Sequence, residues 1–134
     1  MRQYMLDTDI SSYIIKKRPL SVLARFEQLK MEQLCISIIT YAELRYGVLR
    51  SSSQKVNLPI VEDFVNRLII LPWDRQAAIQ YGQLRVKLES EGISIGCMDT
   101  MIAAHALSDN SILITNNLKH FQRVPNLIVE NWVI

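Results

Sequence analysis

Five short apolar runs are spaced widely along this chain, at residues 3–6, 33–37, 68–71, 111–115 and 127–130. Each has the length of a strand, and most gaps between them hold one or two stretches of helical periodicity. Strands joined through helices cannot pair as tight hairpins. They imply a mainly parallel sheet, covered by helices on both faces and apolar on both sides. The expected order is β-α-α-β-α-α-β-α-α-β-α-β, an α/β class. At 134 residues, 1–134 reads as a single domain able to bury a core without staples.

In an open parallel sheet the carboxyl ends of the strands form the rim where ligands bind. The first run, Tyr4-Met5-Leu6, stops at Asp7, which puts a carboxylate on that rim. A helix over about 10–17 follows, with Asp9 as its expected N-cap, the cations Lys16, Lys17 and Arg18 at its end, and Pro19 stopping it. A short amphipathic helix over Ser21 to Lys30 presents Val22, Leu23, Phe26 and Leu29. The second strand, Gln33 to Ser37, runs straight into Thr40-Tyr41-Ala42-Glu43, where Thr40 and Glu43 have capping-box spacing. Glu43 reads either as that cap or as a second acid over the rim. Further on, a helix over Val56 to Leu68 takes Pro59 in its first turn. A long helix runs from the Asp74 cap to Ser90, with Ala78, Tyr81, Leu84, Arg85 and Leu88 on one stripe and Gly92 ending it.

The segment 93–107 is a loop and then a mostly apolar helix with one carboxylate, Asp99, in its first turn. The fourth strand delivers Thr115, Asn116 and Asn117 to the same rim, followed by one helical turn over Leu118 to Phe121 and an edge strand at Leu127–Glu130. Trp132 closes the core. His105, deep in the apolar helix, reads as a core or interface histidine, and His120 as a surface one. Clustered carboxylates repel one another and shift toward neutral forms unless a cation joins them. Oxygen donors without a thiolate or imidazole beside them suit Mg²⁺, with Mn²⁺ as a substitute. Such a site fits phosphate chemistry.

A net charge of +2 permits a local basic surface without implying one, and Cys35 and Cys97 read as reduced core thiols of a cytosolic protein. No signal peptide or membrane-length run is visible, so the expectation is a cytoplasmic protein without a membrane partner.

Four motifs occur in order: Met5-Leu6-Asp7-Thr8-Asp9; Tyr41-Ala42-Glu43-Leu44-x-x-Gly47; Gly96-x-x-Asp99-x-x-Ile102-Ala103-Ala104; and Thr115-Asn116-Asn117-x-x-x-Phe121-x-Arg123-Val124-Pro125. Together they resemble a PIN-domain ribonuclease, and more closely the VapC-like toxins of type II toxin–antitoxin pairs, over essentially the whole chain. The resemblance implies a three-layer α/β/α fold and a Mg²⁺-dependent endoribonuclease. Asp7 and Asp99 match the main metal ligands, and Glu43 matches a third acid that helps hold metal and orient water. Asp9, Thr115 and Asn117 fall around them, with Asn117 where many relatives carry a fourth acid. Also implied are hydrolysis of structured RNA, with the anticodon loop of initiator tRNA as best guess, a VapB-like antitoxin, promoter DNA reached through it, and a toxin homodimer or a higher assembly. The basic candidates for RNA are Lys16, Lys17, Arg18, Arg45, Arg50, Lys87 and Lys119; Tyr13, Tyr41 and Tyr46 are candidates for the antitoxin groove or the core.

Two other readings stay open at this level. Asp7-Thr8-Asp9 after an apolar strand is similar to the first motif of haloacid-dehalogenase-type phosphatases, with Asp7 as nucleophile. A PIN-like binding module that has lost catalysis is the other.

Overall fold

The computed structural model describes residues 2–134. Its sheet has five strands, β1 (Tyr4–Leu6), β2 (Leu34–Ser37), β3 (Ile69–Leu71), β4 (Ile112–Ile114) and β5 (Val129–Glu130), in the spatial order β3-β2-β1-β4-β5. Every pairing is parallel, with Met5 opposite both Cys35 and Leu113. The helices are α1 (Thr8–Lys16), α2 (Leu20–Glu27), α3 (Ile38–Arg50), α4 (Gln54–Val65), α5 (Arg75–Ser90), α6 (Cys97–Asp109) and α7 (Leu118–Phe121), with a 3₁₀ turn at Met31–Gln33 before β2.

Strand alternation divides the core in two. Leu6, Leu34, Ile36 and Ile114 face one side and pack with Ile10 and Ile14 of α1, Phe26 of α2, Leu44 and Val48 of α3, Phe64 of α4 and Trp132. Met5, Cys35 and Leu113 face the other and meet Leu84 and Leu88 of α5, Ile102, Ala103 and Ala106 of α6, and Phe121 of α7. The small side chains of α6 let that helix lie close over the sheet. The result is the expected three-layer arrangement.

The chain builds β1, β2 and β3 outward in one direction, then returns past β1 to place β4 and β5 on its other side. The order therefore reverses beside β1, and the ends of β1 and β4 flank the switch point where open α/β sheets bind ligands. Asp7 donates its backbone N–H to Ile114 O at 3.0 Å, so the two strand ends are stitched together at the rim.

Several local expectations change. Helix α1 begins at Thr8, and its N-cap is Asp7, not Asp9; the Asp7 side chain accepts from Ile10 N at 2.9 Å. Helix α3 begins at Ile38 with Ser37 as N-cap, accepting from Ile39 N at 3.1 Å, so Thr40 and Glu43 form no capping box. Pro59 lies in the second turn of α4, which starts earlier and ends at Val65. On α5 it is Ala77, not Ala78, that is buried with Leu84 and Leu88. The last strand is shorter than expected. Cys35 is buried but Cys97 is exposed at the start of α6.

Candidate active site

Asp7 is the buried centre of the rim, only 4% exposed. Its carboxylate takes the Ile10 N–H and a hydrogen bond from the hydroxyl of Thr115, which follows β4 and is itself fully buried. These donors do not compensate for lost water. Burial above all pushes the carboxyl from 3.8 up to about 7, and the charges of Asp9 and Asp99 push it in the same direction.

Asp99 reaches the same place from the first turn of α6. The turn opens at Gly96, whose φ of +91° is a conformation that L side chains rarely adopt. Burial, then Glu43 and then Asp9, raise the Asp99 carboxyl from 3.8 to about 6, while His120 pulls it down. Glu43 stands in the second turn of α3. Thr8, the first residue of α1, donates its hydroxyl to Glu43 Oε1 and thereby joins the helix after β1 to the helix after β2. Asp9 is exposed in the first turn of α1, close enough for its charge to act on both Asp7 and Asp99.

The four acids thus share one rim but not one point. Among the described residues, no three acidic, histidine or cysteine side chains close into a metal-holding cage. Instead, the charge of Asp99 acts on Asp7, and Glu43 enters through Asp99. Two carboxyls held far above their ordinary range by burial and by neighbouring acids suit a hard cation, which would restore both to their ionised forms. The donor set fits Mg²⁺ or Mn²⁺.

Around the acids, Asn117 gives its backbone N–H to Thr115 Oγ1 at 2.9 Å. Its side-chain nitrogen lies 2.9 Å from Nδ1 of His120, so His120 is a half-buried member of the rim rather than a plain surface residue. Sequence spacing concealed this because His120 has no second histidine at ligand distance; its position three residues beyond Asn117 on a single helical turn was the available signal. His105 is a core histidine as expected, with Nδ1 2.7 Å from Ser37 Oγ and burial lowering its pKa. Of the basic candidates, Arg45 is bound to Glu62 at 2.7 Å and to Tyr41, and Lys87 pairs with Glu91 at 3.4 Å. Lys16, Lys17, Arg18, Arg50 and Lys119 are exposed.

Beside the acids, a groove of about 590 Å³ runs between α1, α3 and α4. Ile15, Leu44, Val48, Ile60 and Val61 line its length, with Thr8 and Glu43 also on its wall.

The PIN-domain family pattern is matched by residues 4–127. A ribonuclease VapC2 of Haemophilus influenzae is 46% identical over 133 residues, 99% of this chain and all of that one. A tRNA(fMet)-specific endonuclease VapC of Salmonella typhimurium is 42% identical over 132 residues, 98% of this chain and 99% of the relative. Among solved structures, VapBC2 from Rickettsia felis bound to a fragment of its promoter DNA superposes with a TM-score of 0.92 at 43% identity, over 97% of this chain and 98% of the other.

Proposed function

The chain belongs to the PIN-domain family, and we propose that it is the ribonuclease toxin of a VapBC-type toxin–antitoxin pair, hydrolysing phosphodiester bonds in structured RNA. The observation that carries the chemistry is the pair of carboxyls at the switch point, Asp7 and Asp99, raised to about 7 and 6. The phosphatase reading loses its footing, since the motif it relied on lies inside a PIN-family match.

Asp7 and Asp99 would hold Mg²⁺, with Glu43 completing the acidic set. When bound, the cation supplies positive charge to the phosphodiester and makes water a better nucleophile. Glu43, its carboxylate fixed by the Thr8 hydroxyl, orients the attacking water. Thr115 holds the second side of Asp7 and keeps that carboxylate from rotating out of the rim. Asp9, exposed beside them, adds negative charge that strengthens cation retention. The products carry 5′-phosphate and 3′-hydroxyl ends.

The substrate class is the anticodon loop of tRNA, initiator tRNA first, following the relative named for tRNA(fMet). Loop nucleotides suit a narrow rim because their bases are unstacked and their backbone is bent. The apolar groove between α1, α3 and α4 is the seat of a VapB-like antitoxin segment, and exposed Tyr46, Leu49 and Val56 on α3 and α4 extend its apolar surface. Promoter DNA is reached through that antitoxin, a reading supported by the similar Rickettsia felis VapBC2 complex being bound to a fragment of its promoter. The toxin works in the cytoplasm as a homodimer or within a larger assembly, and no helix among the described residues is long and apolar enough to cross a membrane.

The test is cleavage of total bacterial RNA by antitoxin-free protein with Mg²⁺, beside Asp7→Asn and a chelator control, with fragment ends sequenced. One discrete tRNA cut that both controls abolish is expected. Folded wild type that makes no metal-dependent cut would leave the silent binding module as the better reading.

A further inference from the structure

The rim assembled so far is almost wholly acidic, yet its substrate is a polyanion. A site that stabilises charge on a phosphodiester needs a hydrogen-bond donor aimed at the reacting group. Arg45, Arg85 and Lys87 are committed to Glu62, Glu89 and Glu91, and Lys16 and Lys119 are exposed side chains.

His120 is differently placed. Its Nδ1 lies 2.9 Å from the side-chain nitrogen of Asn117. With the nitrogen of the Asn117 amide turned to the ring, Nδ1 accepts and the proton of a neutral imidazole lies on Nε2. The imidazole is also tied back to the acids. Asn117 is anchored through its backbone N–H on Thr115 Oγ1, and the Thr115 hydroxyl bonds the Asp7 carboxylate. The single turn of α7 completes the frame, with His120 N donating to Asn117 O at 3.2 Å. A chain of three side-chain-mediated hydrogen bonds therefore runs from Asp7 to the ring, which lies within electrostatic reach of Asp99. The ring is half-buried, so one edge is fixed by Asn117 while solvent or substrate can reach the remainder.

We propose that His120 is a catalytic residue, its Nε2–H donating to a non-bridging oxygen of the scissile phosphate, and that Asn117 is the positioning residue that fixes its tautomer. The inference rests on the ribonuclease reading of the same site. It gives the Asn117 amide a use, which is to hold one edge of the ring in place.

The experiment compares full-length wild type with His120→Ala, His120→Gln and Asn117→Ala on an initiator tRNA transcript with Mg²⁺, and measures Mn²⁺ binding calorimetrically on the same proteins. His120→Ala is expected to lower kcat about 100- to 1,000-fold with little change in KM, as for loss of one transition-state donor. His120→Gln, which keeps an N–H, should recover part of that loss. Asn117→Ala should fall between, and Mn²⁺ affinity should not change in any of them. Activity of His120→Ala within about twofold of wild type would overturn the proposal, and so would equal losses in the Ala and Gln variants accompanied by weaker Mn²⁺ binding. Wild type that binds Mn²⁺ but cuts no RNA would instead sink the ribonuclease reading, a result that involves no variant.

Discussion

At the scale of single residues, Asp7 performs two jobs that interfere with each other. It caps α1 through Ile10 N and it is the buried acid of the rim. Capping requires only an oxygen acceptor, whereas metal binding requires charge. Asp7→Asn separates the two, since Asn caps as well as Asp. The folded-state carboxyl sits at about 7 against 3.8 for the free group, so the folded protein holds a proton that the unfolded chain releases between those values. Stability from this group is therefore greatest at low pH and lost as pH rises through 7. Without metal at pH 8, Asp7→Asn should be more stable than wild type by about 2–4 kcal/mol, and the difference should vanish below pH 4. Denaturant titrations in chelator at both pH values check this; equal stability at pH 8 would mean that Asp7 is better solvated than its burial indicates. The sequence showed both Asp7 and Asp9 beside a helix start but not which one caps. With β1 ending at Leu6, the extended backbone at Asp7, φ −77° and ψ 178°, leaves no residue over for a loop. The same economy moved the α3 cap from Thr40 to Ser37, where β2 runs directly into the helix.

At the scale of elements, the boundaries legible in advance were those marked by residues with one good use. Asp74 caps α5 by accepting from Ala77 N at 3.0 Å, and Gly92, at φ +68°, ends the turn beyond it. Less legible were boundaries where several residues compete, as in Ser51-Ser52-Ser53-Gln54 before α4, and stripes where neighbours share a character, as with Ala77 and Ala78. Exposure of Cys97 was hidden because an apolar helix looks alike all round, although Cys97 and Met98 at its start are both exposed. That first turn is where element and site meet. Gly96 at φ +91° sets the direction in which α6 leaves the loop, and α6 carries Asp99. No atom lies within 4 Å of a Cβ placed at Gly96, so Gly96→Ala meets no steric obstacle and its cost is conformational. The variant is expected to lose about 1–2 kcal/mol in thermal or denaturant unfolding. Its cleavage rate should fall further than its folded fraction does, because relief of the strain rotates the start of α6. A rate that tracks the folded fraction would show that Asp99 is held by α5 and the sheet instead.

At the scale of the whole molecule, topology is what turns separate weak signals into a site. Each carboxylate alone has a local explanation; the reversal of strand order beside β1 brings the acids after β1, on α3 and on α6 to one rim. The strand and helix order was readable because each run had a single period, whereas the link from Asp7 through Thr115 and Asn117 to His120 required the fold. The assembled rim should show itself in the coupling of protons to metal. Asp7 and Asp99 both bind protons more tightly in the folded protein, at about 7 and 6, so protons and a divalent cation compete for the same oxygens. At pH 8 the carboxyls are largely empty and repel one another, and saturating Mg²⁺ should raise Tm clearly. At pH 5.5 protons already occupy them, and the same Mg²⁺ should raise it little. His105 works in the opposite direction, its lowered pKa removing stability as pH falls, but it belongs to the core and its contribution cancels in the difference with and without Mg²⁺. Thermal scans at the two pH values decide the matter. A Mg²⁺ shift of the same size at both would place the cation away from Asp7 and Asp99, and a larger shift at pH 8 that disappears in Asp7→Asn would place it on them.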